Sequence, residues 1–275
     1  MRLFSNPAKA SPALYPQPTH SELPDVRGAE VTAAYYGQRM AGDFYDFIRV
    51  GRNRVVFALL DVAGRQEENR RVILSAQKAF RERARELFAS EEVNESDAMT
   101  DLCHAINRTV LQAEGGVRAC PAFAGCYQEE LGTLCYFNAG HTPGLVRDGS
   151  GVAELAATGL PLGLFSHTTC DAVTVGLEPG SIFLLVSRGI TEGKYKKEEF
   201  GLERVKRSLQ ETRSSTAREV CLNILTGVQQ FMRTPPTHND VTALALVRTG
   251  ETRAAAGKSP EVRNGMQAQT VTSSA

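Results

Sequence analysis

The sequence has no tryptophan and no C-x-x-C pair, and no apolar run approaches the roughly 20 residues of a membrane-spanning helix. It has no excess charge of either sign: 31 Lys and Arg stand against 31 Asp and Glu. That balance removes the global electrostatic case for a nucleic acid or an acidic membrane as partner. No signal-peptide apolar region opens the chain, so a cytoplasmic location is expected. The cysteines, Cys103, Cys120, Cys126, Cys135, Cys170 and Cys221, include several inside apolar runs such as Leu134-Cys135-Tyr136. They read as buried free thiols in a reducing compartment. What remains is an ordinary globular balance, 42% hydrophobic over 275 residues, enough for one large domain or two small ones.

The most informative stretch is 42–65. Two strand-like apolar runs, Phe44–Val50 and Val55–Leu60, flank the polar turn Gly51-Arg52-Asn53-Arg54, which predicts a β-hairpin. A three-residue loop at 51–53 places Val50 opposite Arg54 and Asp43 opposite Asp61. Like charges directly opposite on a sheet repel. A cation between them reverses that penalty, and Mg²⁺ or Mn²⁺ suits oxygen ligands. A plainer reading stays open beside it: Asp46 and Asp61 lie near strand ends, where Asp usually serves turn chemistry.

Residues 1–25 hold Pro7, Pro12, Pro16, Pro18 and Pro24 and read as a linker or disordered arm; 26–248 read as the folded domain and 249–275 as a disordered tail. Val31–Tyr36 is a strand candidate. Apolar residues at Val72, Ile73, Ala76, Phe80, Leu87 and Phe88 predict a helix from about Glu67, with the charge run Arg81–Glu86 on its solvated face. A second helix is expected from Ser96, as N-cap, to Gln112, stopped by Gly115-Gly116. Strands follow at Ala122–Tyr127, Thr133–Ala139, Gly144–Arg147, Val152–Leu155, Ala172–Gly176 and Ser181–Ser187. Helices near Leu202–Gln210 and Thr216–Met232 come next, the second closed by Pro235-Pro236, and then a strand Val241–Val247. Grouped helices with antiparallel strands indicate an α+β fold of two sheets with helices packed on them.

Six segments in this order resemble the PPM-type, metal-dependent Ser/Thr protein phosphatases, in their SpoIIE/RsbU branch. They are Ala41-Gly42-Asp43-Phe44-Tyr45-Asp46, Asp61-Val62-Ala63-Gly64-Arg65, Phe137-Asn138-Ala139-Gly140-His141-Thr142-Pro143, Thr158-Gly159-Leu160-Pro161-Leu162-Gly163, Leu184-Leu185-Val186-Ser187-Arg188-Gly189-Ile190-Thr191-Glu192 and Asn239-Asp240-Val241-Thr242. The resemblance implies an αββα sandwich of two antiparallel sheets flanked by helices. It also implies a two-metal Mn²⁺ or Mg²⁺ site activating a water against a phosphoserine or phosphothreonine. Asp43 and Asp61 would be ligands, with Asp61 bridging, and the Val62 carbonyl would join them. Gly42, Arg65 and His141 would flank the site, His141 as a structural turn residue.

The chain departs from that pattern at three places. Arg188 stands where the family has Asp, Asn239 stands where it has the first Asp of Asp-Asp-x-Thr, and Gly64-Arg65-Gln66 replaces Gly-His-Gly. An arginine cannot deprotonate in a protein. A unit charge about 4 Å from a divalent ion opposes it by about 8 kcal/mol at an effective dielectric near 20. Arg188 therefore either replaces a metal by pairing with Asp43 or Asp61, or swings to solvent while Asp240 serves as ligand. The expected function is a catalytically impaired family member or pseudophosphatase of bacterial partner switching. Its expected partner is a phosphoprotein or an anti-sigma-factor-antagonist-like protein, and a homodimer stays open. The alternatives are an active Mn²⁺- or Mg²⁺-dependent phosphatase with a reduced site, and a non-enzymatic α+β binding domain outside the family.

Overall fold

The computed structural model describes residues 23–36, 42–62, 66–113, 119–233 and 240–249, with the backbone alone at 36, 66–68 and 269–274. In chain order the elements begin with β1 (Ala29–Tyr36), β2 (Asp43–Val50), β3 (Arg54–Asp61), α1 (Gln66–Leu87) and α2 (Glu95–Gln112). There follow β4 (Ala122–Gln128), β5 (Thr133–Ala139), β6 (Gly144–Asp148), β7 (Gly151–Leu155), β8 (Val173–Gly176) and β9 (Ile182–Val186). The chain then forms α3 (Arg188–Thr191), β10 (Lys194–Tyr195), β11 (Glu198–Glu199), α4 (Gly201–Glu211), α5 (Ala217–Met232), β12 (Val241–Arg248) and β13 (Gln269–Ser274).

β2 and β3 pair antiparallel with Val50 opposite Arg54 and Asp43 opposite Asp61, the register that the three-residue loop dictates. They open a sheet ordered β2-β3-β4-β5-β8, while a second is ordered β13-β1-β12-β9-β6-β7. Side chains alternate across each strand. Tyr45, Phe47, Val55, Phe57 and Leu59 face the second sheet, and Phe44, Ile48, Val56, Ala58 and Leu60 face α1 and α2. α5 covers the other sheet through Val220, Ile224 and Val228. This is the four-layer αββα sandwich expected of the resemblance, with one apolar layer between the sheets and one under each helical face. Every residue of β3 is buried, as a strand covered on both faces must be. Phe57, Phe123 and Phe183 fill the middle, with ring centroids 5.6–6.4 Å apart. No helix among the described residues is long and apolar enough to cross a membrane.

The structure differs from the sequence reading in several details. α2 is capped by Asn94, two residues before the expected Ser96, and its side chain accepts from the amides of Ser96 and Asp97. α5 ends at Arg233 in the left-handed conformation, φ 60°. Pro235-Pro236 and Gly115-Gly116 lie outside the described residues. The single-turn α3 and the two-residue pair β10–β11 have no periodicity to reveal them. Part of the stretch read as a disordered tail is β13, paired antiparallel with β1. At the other end Leu23 packs on the inter-sheet core, and the Asp25 carbonyl accepts from Arg49 at 2.5 Å.

Candidate functional site

The alternation that builds the core also aims the carboxylates. Asp43 and Asp61 share the inward face of Tyr45 and Leu59, so both point into the gap between the sheets, at its rim. With Gly42, Arg188, Gly189, Glu192 and Asp240 they line a cleft of about 40 Å³. Asp43, Asp61 and Asp240 are 5%, 7% and 4% exposed. β9 delivers Arg188 and Glu192 through α3, and the start of β12 delivers Asp240, so the cleft joins both sheets.

The backbone at the rim is tightly drawn. The Val62 amide donates to the Gly42 carbonyl at 2.9 Å. A Cβ on Gly42 would lie 3.0 Å from the Val62 oxygen, at a φ of +155° that side chains rarely adopt, so only glycine fits here. The Val62 carbonyl itself accepts from Asn69 Nδ2 at 2.8 Å. Thr242 Oγ1 donates to Asp43 Oδ2 at 2.8 Å, and the Thr242 amide donates to Ser187 Oγ at 3.0 Å. Burial pushes the Asp43 carboxyl well above the usual carboxylate range. Neighbouring Asp61 and, less, Asp240 push the same way, and the hydroxyls of Ser187 and Thr242 partly counter them.

Arg188 takes one of the two sequence options. Its Nε donates to Asp61 Oδ2 at 2.5 Å, and this bond holds the guanidinium above its usual pKa. The Arg188 side chain is 44% exposed and the Asp61 side chain only 10%, so the charge enters the cleft from its mouth. His141 is buried; its backbone amide donates to Asn138 Oδ1 at 2.8 Å, and its Nδ1 lies 3.0 Å from Thr142 Oγ1. Its Nε2 has no hydrogen-bond partner among the described residues. Burial lowers its pKa to about 4. Gly140 beside it has φ +67°, and a Cβ there would meet Pro161 at 2.7 Å, so the turn locks onto the 159–163 segment.

Arg65 and Asn239 lie outside the described residues. Two other expectations need correcting. Asp46 faces the helices, is fully buried and does no turn chemistry: Arg81 grips it through Nε at 2.6 Å and Nη2 at 3.0 Å, and Gln77 donates at 3.1 Å. The charge run 81–86 is therefore solvated only in part. Glu192 and Asn69 were given no role by the sequence reading. Asn69 could have been found, because it falls three, four and seven residues before Val72, Ile73 and Ala76, on the apolar stripe of α1.

The profile of the Stage II sporulation protein E (SpoIIE) family matches residues 51–249. The chain belongs to the SpoIIE family. Its likeness to Protein IcfG of Synechocystis sp. (strain ATCC 27184 / PCC 6803 / Kazusa) is 24% identity over 224 residues, covering 74% of this chain and 35% of that protein. Among solved structures, it superposes on the RsbU and RsbW domains of Rv1364c from Mycobacterium tuberculosis with TM-score 0.67 and 22% identity, covering 84% of this chain and 64% of that one. The PP2C phosphatase domain and regulatory-domain fragment of SpoIIE from Bacillus subtilis gives TM-score 0.67 and 18% identity, over 82% and 64% of the two chains. The chain thus spans about a third of the curated relative and under two thirds of these two structures. Membership of the SpoIIE family excludes the binding domain outside it.

Phosphatases of this fold generally use Mn²⁺ or Mg²⁺, so the residues present must be tested against such an ion. Among the described residues no three Asp, Glu, His or Cys side chains converge on a point where an ion could sit. Asp61 is engaged by Arg188, Asp43 by Thr242 and the Val62 carbonyl by Asn69. As arranged, these groups do not fit a two-metal centre.

Proposed function

We propose that this chain is a PPM-type phosphatase homologue of bacterial partner-switching signalling whose metal-dependent phosphoserine/phosphothreonine hydrolysis is impaired or lost. The observation that carries this reading is the Arg188–Asp61 ion pair. A fixed cation sits on the carboxylate that the family uses to bridge its metals. It offsets the charge of Asp61, and so its repulsion of the facing Asp43, yet it carries no water to activate. The chain then serves as a pseudophosphatase that recognises a phosphoprotein or an anti-sigma-factor-antagonist-like protein without turnover.

A second reading has one observation in its favour. Asp43, Asp61, Asp240 and Glu192 all line one small cleft, and once Arg188 leaves it their summed charge would attract Mn²⁺ or Mg²⁺ to a reduced site built on Asp43, Asp61, the Val62 carbonyl and Asp240. Phosphate release from a phosphoserine peptide and from an aryl phosphate, each with Mn²⁺ and with chelator, separates the two. The pseudophosphatase shows no metal-dependent release; clear Mn²⁺-dependent turnover establishes the reduced-site enzyme instead.

A further inference from the structure

The segment between Gly159 and Val173 crosses α2 without regular structure, and α2 holds it with a polar ladder. Ser96 Oγ donates to the Ala172 carbonyl at 3.0 Å, and Thr100 Oγ1 to that of Cys170 at 3.4 Å. His104 Nε2 lies 3.1 Å from the Thr168 carbonyl, and Asn107 Nδ2 donates to that of Phe165 at 2.9 Å. Asn107 Oδ1 also accepts from the Gly163 amide at 2.8 Å. The positions 96, 100, 104 and 107 follow one helical face, and the carbonyls they capture run the opposite way. The segment is thereby fixed in place.

The segment turns Leu162 and Cys170 inward onto the core under α1 and α2, but leaves two large apolar side chains outside. Among the described residues the exposed large hydrophobics are Leu131, Leu160, Phe165 and Val173; two of these four lie in this segment, and Val173 opens β8 at its end. Leu160 is 55% and Phe165 54% exposed. Phe165 is held outward by a backbone whose own carbonyl is bonded to Asn107. Scattered exposed apolar residues need no explanation, but a concentration on one ordered segment does.

Beside Phe165 the same two elements enclose a cleft of about 260 Å³ lined by His104, Asn107, Arg108, Ser166, His167 and Thr168. Its ionisable groups are an arginine and two histidines, with no carboxylate among the lining residues. Arg108 is exposed and has no ion-pair partner among the described residues. An ordered apolar anchor next to a cleft lined by an arginine, two imidazoles and hydroxyl groups is complementary to a chain that alternates carboxylates with an apolar side chain.

We propose that α2 and the 160–173 segment form a docking site for an acidic, extended segment of a partner protein, which sets a carboxylate against Arg108 and His167 and an apolar side chain on Phe165. The ladder to α2 pre-pays the ordering of the receptor side, so a short segment suffices. The cleft beside Phe165 shares no lining residue with the Asp43–Asp61 cleft, and the proposal does not depend on whether that cleft hydrolyses anything.

The test uses the full chain and a fluorescein-labelled peptide of alternating Glu and Ser around one Phe, with two controls: Phe replaced by Ser, and Glu replaced by Lys. Anisotropy should show saturable binding below millimolar concentration, weakened about tenfold by Arg108→Glu or by Phe165→Ser and weakened again at about 0.5 M NaCl. Both substituted side chains are exposed, and a thermal melt checks that each variant stays folded. Amide shifts on titration should cluster at 104–108 and 160–173. Equal binding by the variants, equal binding of the lysine peptide, shifts mapping elsewhere, or no binding at all overturns the proposal. So does self-association of the chain that Phe165→Ser abolishes, since the patch would then be covered by a second copy.

Discussion

Arg188 and Arg81 show what one arginine does in two settings. Both grip an aspartate of the β2–β3 hairpin, but Asp46 is sealed under α1 whereas Asp61 opens on a cleft. Arg81→Ala leaves a fully buried carboxylate without its counter-charge, and should cost about 3 kcal/mol of stability in urea unfolding. The double variant Asp46→Leu/Arg81→Met should recover most of it, because an apolar pair removes the uncompensated charge as well. His141 contributes through its neutrality. Folding lowers its pKa from 6.5 to about 4, so between those values the unfolded chain binds the more protons. The contribution is therefore full above about pH 6.5 and is lost as pH falls toward 4, by up to about 3 kcal/mol. The difference in unfolding free energy between the wild type and His141→Asn, followed from pH 7.5 to 4, should narrow over that window; a pH-independent difference would show that the imidazole is not held neutral by burial.

At the scale of elements, α2 holds its neighbours through single polar side chains placed at helical spacing. Asn107 is 1% exposed and serves two backbone groups of the crossing segment. Asn107→Ala should cost about 2 kcal/mol and speed proteolysis between 163 and 168, without altering the β2–β3 register. That register was legible in the sequence because loop length and alternation fix it locally. The helices were legible through their apolar spacing. The ladder from α2 to 163–172 was not, since each rung joins residues 56 to 76 positions apart. Asp46–Arg81 was hidden in the same way: one half was read as a strand-end turn residue and the other as solvated charge, and only the packing of α1 on β2 brings them together. The Asn94 cap lay two residues before the expected one and serves a different pair of amides, those of Ser96 and Asp97.

For the whole molecule, the two sheets matter because neither makes the cleft alone. β2 and β3 bring Asp43 and Asp61 from one sheet, while β9 and β12 bring Arg188, Glu192 and Asp240 from the other. The sandwich was legible from the order of strands and helices together with the six motifs. The sequence also marked Arg188 as the decisive departure, but left open which aspartate it meets. That choice depends on where α3 sets the guanidinium across the sheet gap, which no local pattern encodes. The account's central claim is that Arg188 stands in the place of a metal. Mn²⁺ binding by calorimetry tests it most directly, on the wild type beside the Arg188→Asp/Asn239→Asp double variant, with phosphate release from an aryl phosphate followed in both. The account predicts no Mn²⁺ binding in the wild type, with binding and turnover gained in the variant. Micromolar Mn²⁺ binding with turnover in the wild type would contradict it.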